Sequence, residues 1–133
     1  MSWPRLYGCV AAGSAVGAVI RYLAGLLVTG GTPVPWDTLL VNISGSLAIG
    51  LLAALIMPGQ RLATHPALWH FLVPGLLAGY TTFSVFSLQT LLLFQTGHAT
   101  LALLNILANI ILSLIAAAVG YLVGTRFRPF PAS

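Results

Sequence analysis

Charge is almost absent from this chain of 133 residues: five arginines and one aspartate are its only formal charges, 5% of the whole. A soluble domain carries about 25% charged residues. A chain with so few cannot cover itself with a water-facing surface, and its mean hydropathy of +1.02 says the same. An ordinary soluble enzyme is excluded. At about 20 apolar residues per crossing, the length holds four spans with short loops and no second domain. The expectation is an all-α integral membrane protein, one four-helix membrane domain filling 1–133.

Proline and glycine mark the span ends. They place helices at about 7–29, 38–57, 67–94 and 99–124. Gly30-Gly31-Thr32-Pro33 breaks the first helix and Pro58-Gly59 the second. Four spans put both termini and the second loop on one side. That side carries Arg5, Arg61, Arg126 and Arg128, whereas the other carries Asp37 and His98. The positive-inside rule places the termini in the cytoplasm.

The basic balance does not point to nucleic acid, because no basic face is clustered. Cys9 is the lone cysteine, which rules out an internal disulfide and a thiolate metal site. The segment before it is too short for a signal peptide's charged region and apolar core, so it reads as the start of helix one. His65, His70 and His98 lack metal-ligand spacing. No nucleophile–base pair and no carboxylate pair exists, so no catalytic activity is expected. No acid lies within a span, which removes a proton-coupled cation exporter.

Glycines four apart occur on three helices: Gly13 and Gly17, Gly75 and Gly79, Gly120 and Gly124. Such pairs let helices approach closely in lipid. Four short helices enclose little interior, so an oligomer is expected.

Polar groups inside lipid must find a partner or line a wet cavity. Thr38, Asn42 and Ser46 recur every fourth residue on helix two, as Asn105, Asn109 and Ser113 do on helix four. Ser46 and Ser113 read as interhelical bonding groups. Asn42 has two open readings, the same bonding role or an amide whose two N–H groups serve a passing anion.

Helix three is the most informative. Its central Gly75-Leu76-Leu77-Ala78-Gly79-Tyr80-Thr81-Thr82-Phe83-Ser84-Val85-Phe86-Ser87 follows Pro74. Proline, glycine and paired β-branched residues all weaken a helix. A break there exposes carbonyls at mid-bilayer, held either by a bound cation or by threonine hydroxyls and a neighbouring helix. Phe83 and Phe86 share one face, Ser84 and Ser87 the next. Aromatic ring edges are electropositive, so two edges plus hydroxyls suit a small anion. Arg21, the one charge well inside a span, either snorkels to the interface or draws anions into a vestibule.

The stretches Gly13 to Tyr22, Leu40 to Gly50 and Gly75 to Ser87 resemble the signatures of the CrcB-like, Fluc-type fluoride channels. The resemblance covers three of four helices in the right order. It implies an antiparallel, dual-topology dimer in a bacterial inner membrane, with the third helix broken mid-membrane. It also implies passive, selective fluoride export that limits cytoplasmic toxicity. Fluoride would pass Asn42, Phe83, Phe86, Ser84, Ser87 and Thr38, with Arg21 at the vestibule and Asn105 or Asn109 on helix four. A structural sodium ion at the dimer interface would rest on the Ala78 and Thr81 carbonyls. Val85 stands where that family usually has threonine, Ala78 where it has glycine, and Asn105 or Asn109 takes the place where it often has a pore tyrosine on helix four. The arginine bias is large for a chain inserting both ways. A homodimer is the expectation, with pairing to an inverted relative as the alternative. Other readings are a channel or carrier for another small anion, and a non-conducting subunit of a larger complex.

Overall fold

A computed structural model describes residues 2–28, 31–56 and 65–127. Arg61, Arg128 and the expected breaks at Gly30 and at Pro58-Gly59 lie outside the described residues, so half of the arginines in the orientation argument do too. The order is α1 (Trp3–Val28), α2 (Trp36–Ile56), α3 (Pro66–His70), a π-helical stretch (Phe71–Leu77), α4 (Ala78–Tyr80), α5 (Ser84–Gln95) and α6 (Ala99–Arg126). Among the described residues, four segments are long and apolar enough to cross a membrane: Trp3–Val28, Trp36–Ile56, Pro66–Gln95 and Ala99–Arg126. The chain is a multi-pass all-α membrane protein.

Two helix ends differ from the sequence expectation for physical reasons. α1 begins at Trp3 rather than near Tyr7, because Pro4 falls in the first turn, where a missing N–H costs nothing. α6 runs past Gly124 to Arg126. Gly124 is no stop signal; it is buried inside the helix, where a Cβ would approach the Ala54 Cβ and come within 3.0 Å of the Leu51 carbonyl oxygen.

The glycines set the packing. A side chain on Gly13 would strike the Phe71 carbonyl, and one on Gly17 the Leu76 carbonyl. One on Gly79 would strike Ser14. Thus α1 lies backbone to backbone on the first half of the third span. Gly50 and Gly120 do the same for α2 and α6, meeting the carbonyls of Ala117 and Leu47. In lipid no hydrophobic force draws helices together, so close dispersion contact has to.

The interior is thin and partly polar. Its apolar members include Leu39, Val41, Leu77, Phe86 and Leu93, whereas Thr38, Thr82, Thr90, Asn105 and Asn109 are buried beside them. Leucines and isoleucines cover the outside, among them Leu27, Leu114 and Leu122. This inversion of a soluble protein is what a lipid solvent selects.

The third span is the irregular element. Pro74 cannot donate a helical hydrogen bond, and the turns around it widen into the π-helical stretch. After Tyr80 the chain leaves the helix: Thr81 is extended, at φ −74° and ψ 160°. Helix resumes at Ser84. A turn at Thr96 to His98, with Gly97 at φ 80°, leads into α6.

Candidate functional site

Thr82 stands at the break between α4 and α5, and its peptide pairs with a side chain from α2. The Thr82 N–H donates to Asn42 Oδ1 at 2.9 Å. Asn42 Nδ2 returns a bond to the Thr82 carbonyl at 3.0 Å. A primary amide thus replaces the helical partners of one peptide unit, which in lipid would be costly to leave bare.

The same pairing frees other groups. In a continuous helix the Thr82 N–H would close onto the Ala78 carbonyl; here it goes to Asn42. The Val85 N–H would close onto the Thr81 carbonyl, but it goes to Thr82 Oγ1 at 3.2 Å. The Ala78 and Thr81 carbonyls are therefore both deprived of their ordinary helical donors. The Leu77 carbonyl, by contrast, takes the Thr81 N–H and hydroxyl, each at 3.0 Å.

Below the break an open groove of ≈ 670 Å³ runs along the subunit. Phe83 and Phe86 line it with Asn42, Asn109, Thr90 and Ser87, and no charged side chain does so among the described residues. The two rings lie 5.7 Å apart, centroid to centroid, with their planes at 50°. Phe86 is 8% exposed, whereas Phe83 is 79% exposed and stands off the subunit. The Ser87 hydroxyl donates to the Phe83 carbonyl at 2.9 Å, so its oxygen, not its proton, is free toward the groove.

Asn42 also donates to Asn109 Oδ1 at 3.0 Å. Both of its donor hydrogens are thus committed within the subunit, which the helix-two spacing could not reveal. Asn109 in turn bonds Asn105, and Asn105 bonds Thr90. Asn105 is 6% exposed and lies behind the groove rather than in its lining.

Arg21 and Thr38 open into a different cavity, of ≈ 330 Å³, shared with Asp37, Val85 and Thr82. Thr82, at the break, borders both spaces. The sequence reading leaves no acid within a span, but α2 starts at Trp36, so Asp37 falls in the first turn of that span and shares the Arg21 cavity. The Asp37 carboxylate accepts from Gln89 Nε2, 3.3 Å from each oxygen. Gln89 Oε1 is buried without a partner among the described residues.

Of the residues singled out from sequence, Asn42, Phe83, Phe86, Ser87 and Asn109 come together on the groove. Ser84 does not; its hydroxyl lies 3.4 Å from Thr82 Oγ1, at the start of α5. Ser46 and Ser113, read above as bonding groups, both face the groove; their four-residue spacing from Asn42 and Asn109 was the available signal. From sequence, Thr82 reads only as one of the pair that weakens the helix, and Thr90 is not singled out, because nothing local distinguishes it from its neighbours.

The model of the family described as CrcB-like protein, Camphor Resistance (CrcB), matches residues 8–121. The chain is 46% identical over 125 residues to the fluoride-specific ion channel FluC 1 of Rhodopseudomonas palustris (strain BisB18), covering 92% of this chain and 89% of that one. It is 44% identical over 113 residues to the fluoride-specific ion channel FluC of Rhizobium meliloti (strain 1021), covering 84% and 89%. Against the fluoride-specific ion channel FluC of Magnetococcus marinus (strain ATCC BAA-1437 / JCM 17883 / MC-1) the identity is 46% over 117 residues, covering 86% and 94%.

Proposed function

The chain belongs to the CrcB-like family, and we propose that it is a fluoride-selective channel letting fluoride leave the cytoplasm down its gradient. It is an ion channel and not an enzyme. The observation that carries the reading is the groove: two aromatic rings line it together with the Asn42 and Asn109 amides and with hydroxyls, and no charged side chain lines it among the described residues. Fluoride is small and strongly hydrated. A site that takes it from water must offer several close donors, and weak dipoles let it leave again. A fixed cation there would trap it.

The path runs past Phe83 and Phe86, with Asn42, Asn109 and Ser87 beside them and Ser84 and Asn105 in support. Beyond the break lies the cavity of Thr38 and Arg21, where a positive charge raises the local anion concentration. The groove is open along one side, and Phe83 is 79% exposed. A second copy of the chain, inverted, closes it and supplies the missing wall; an inverted relative would serve the same purpose. The dimer sits in a bacterial inner membrane.

A sodium ion at the dimer centre fits the break. Sodium takes oxygen ligands, and the Ala78 and Thr81 carbonyls have lost their helical donors to Asn42 and Thr82. The ion would supply a fixed charge that holds the broken helices of two subunits together.

The test is fluoride efflux from liposomes holding only this protein, followed with a fluoride-selective electrode beside a chloride control. Fluoride release without chloride release is expected. Equal release of both points to a general anion channel, and none to a subunit that conducts only within a larger complex.

A further inference from the structure

Resting on the channel reading above, we infer that Asn109, Asn105 and Thr90 form a reversible amide relay, and that turning it round gives the anion a second amide donor. In the structure the relay has one polarity. Asn42 Nδ2 donates to Asn109 Oδ1 at 3.0 Å. Asn109 Nδ2 donates to Asn105 Oδ1 at 3.0 Å and to the Asn105 carbonyl at 3.1 Å. Asn105 Nδ2 donates to Thr90 Oγ1 at 2.9 Å, and Thr90 Oγ1 to the Phe86 carbonyl at 2.8 Å. Asn42, Asn109 and Thr90 line the groove, and Asn105 connects the last two from behind it.

With this polarity the groove is poorly prepared for an anion. Both Asn42 hydrogens are taken, by the Thr82 carbonyl and by Asn109 Oδ1. What Asn109 holds toward Asn42 is a carbonyl oxygen, which repels an anion. Asn42 itself cannot turn, because the Thr82 peptide requires an acceptor and a donor from it at fixed positions.

Asn105 carries no such constraint, and Asn109 is held to the backbone only by the one bond its Nδ2 gives the Asn105 carbonyl. A primary amide turned half-way round exchanges oxygen and nitrogen at almost the same positions. After the turn, the Thr90 hydroxyl donates to Asn105 Oδ1, and Asn105 Nδ2 donates to Asn109 Oδ1. Asn109 Nδ2 then faces the groove, and Asn42 and Asn109 both direct an N–H at one ion. Every relay member keeps a partner. What is lost is the Thr90 bond to the Phe86 carbonyl, the Asn109 bond to the Asn105 carbonyl, which then opposes the turned Asn109, and the Asn42 bond to Asn109 Oδ1, which the ion replaces.

This cost makes the relay a selectivity device. Hydrogen bonds to an ion are about twice as strong as neutral ones. Fluoride, the strongest acceptor among the halides, gains enough from two amides to reverse the relay. Chloride, larger and a weaker acceptor, does not. Asn109 is thereby a specificity-determining residue, and Asn105 and Thr90 are positioning residues acting through it.

The test uses the full-length protein in lipid nanodiscs with ¹⁵N-labelled asparagine side chains, titrated with sodium fluoride and with sodium chloride. Parallel liposomes report fluoride efflux. Fluoride should shift the amide signals of Asn42, Asn109 and Asn105 together at one midpoint, and chloride none of them. Thr90→Val keeps the shape but has no proton to turn toward Asn105. It should leave the Asn42 response, remove those of Asn105 and Asn109, and slow efflux about tenfold, the equivalent of one hydrogen bond. Thr90→Ser should restore both. An Asn42 response without Asn105 in the unaltered protein overturns the inference, as does Thr90→Val efflux at the unaltered rate. Fluoride efflux with no amide response also overturns it while leaving the channel reading intact. Absence of fluoride efflux from the unaltered protein defeats the channel reading, and the relay with it.

Discussion

Asn42 and Thr82, forty residues apart on different spans, pair as an amide with a peptide through two bonds of 2.9 and 3.0 Å. This pair stabilises the helix break, frees the Ala78 carbonyl and fixes the orientation of the Asn42 donors. Removing it should affect folding and conduction together. Asn42→Ala leaves a buried peptide N–H and carbonyl without partners, at about 1–3 kcal/mol for each group. A lowered thermal midpoint in detergent and lost fluoride efflux are expected. Asn42→Asp keeps the acceptor for Thr82 but brings a negative charge onto the path. It should fold better than Asn42→Ala and still block efflux. Normal conductance of the aspartate variant would place Asn42 off the path.

The two phenylalanines separate conduction from stability. Phe83→Ile and Phe86→Ile both remove an electropositive ring edge, and both should abolish fluoride efflux. Only Phe86 is buried, at 8% exposure against 79% for Phe83. Recasting its buried ring as a smaller branched chain should cost about 1–3 kcal/mol, whereas Phe83→Ile should leave the thermal midpoint almost unchanged. Unaltered efflux in both variants would remove the ring-edge role.

Arg21 offers a salt-dependent test. If its charge gathers anions in the cavity it shares with Asp37 and Thr38, Arg21→Gln should slow efflux several-fold at low ionic strength. The deficit should shrink as added salt screens the charge over about 10 Å. Selectivity between fluoride and chloride should not change. A deficit of the same size at every salt concentration would instead indicate a role in packing or membrane anchoring.

Sodium removal should act through the break rather than the groove. Exchanging sodium for a large organic cation during purification should lower fluoride efflux and loosen the dimer, and returning sodium should restore both. Efflux that ignores the cation would remove the proposed ion from the Ala78 and Thr81 carbonyls.

Glycine positions supply a structural control. Gly17→Val places a side chain against the Leu76 carbonyl, a backbone atom that cannot yield. α1 would separate from the third span, and little folded protein should be recovered from the membrane. Gly8→Ala meets nothing within 4 Å and should match the unaltered protein in yield and efflux. Comparable yields from the two variants would show that α1 does not pack through its glycines.

Much of the architecture was written locally. Scarcity of charge and the length of each apolar stretch fixed a four-span membrane protein. Pro74, Gly79 and the two threonines that follow marked the weak point of the third span, and the chain leaves its helix there at Thr81. The spacing of Asn42 and Ser46, and of Asn109 and Ser113, marked two polar faces, and all four residues do border one groove.

What the sequence by itself determined, then, was the solvent, the number of spans and the address of the irregular turn. Each of these follows from composition or from bonds between residues within a few positions of one another. The tertiary structure alone decided who satisfies whom. It assigned Asn42 to the Thr82 peptide, joined Asn109 to Thr90 through Asn105, and sent Arg21 and Thr38 to a cavity apart from the two rings. Such partnerships depend on the distance between spans, which the glycines set: those of α1 meet the backbone of the third span, Gly50 and Gly120 join α2 to α6, and Gly45 brings α2 against the Thr81 and Tyr80 side chains. No periodicity along a single chain segment encodes that distance.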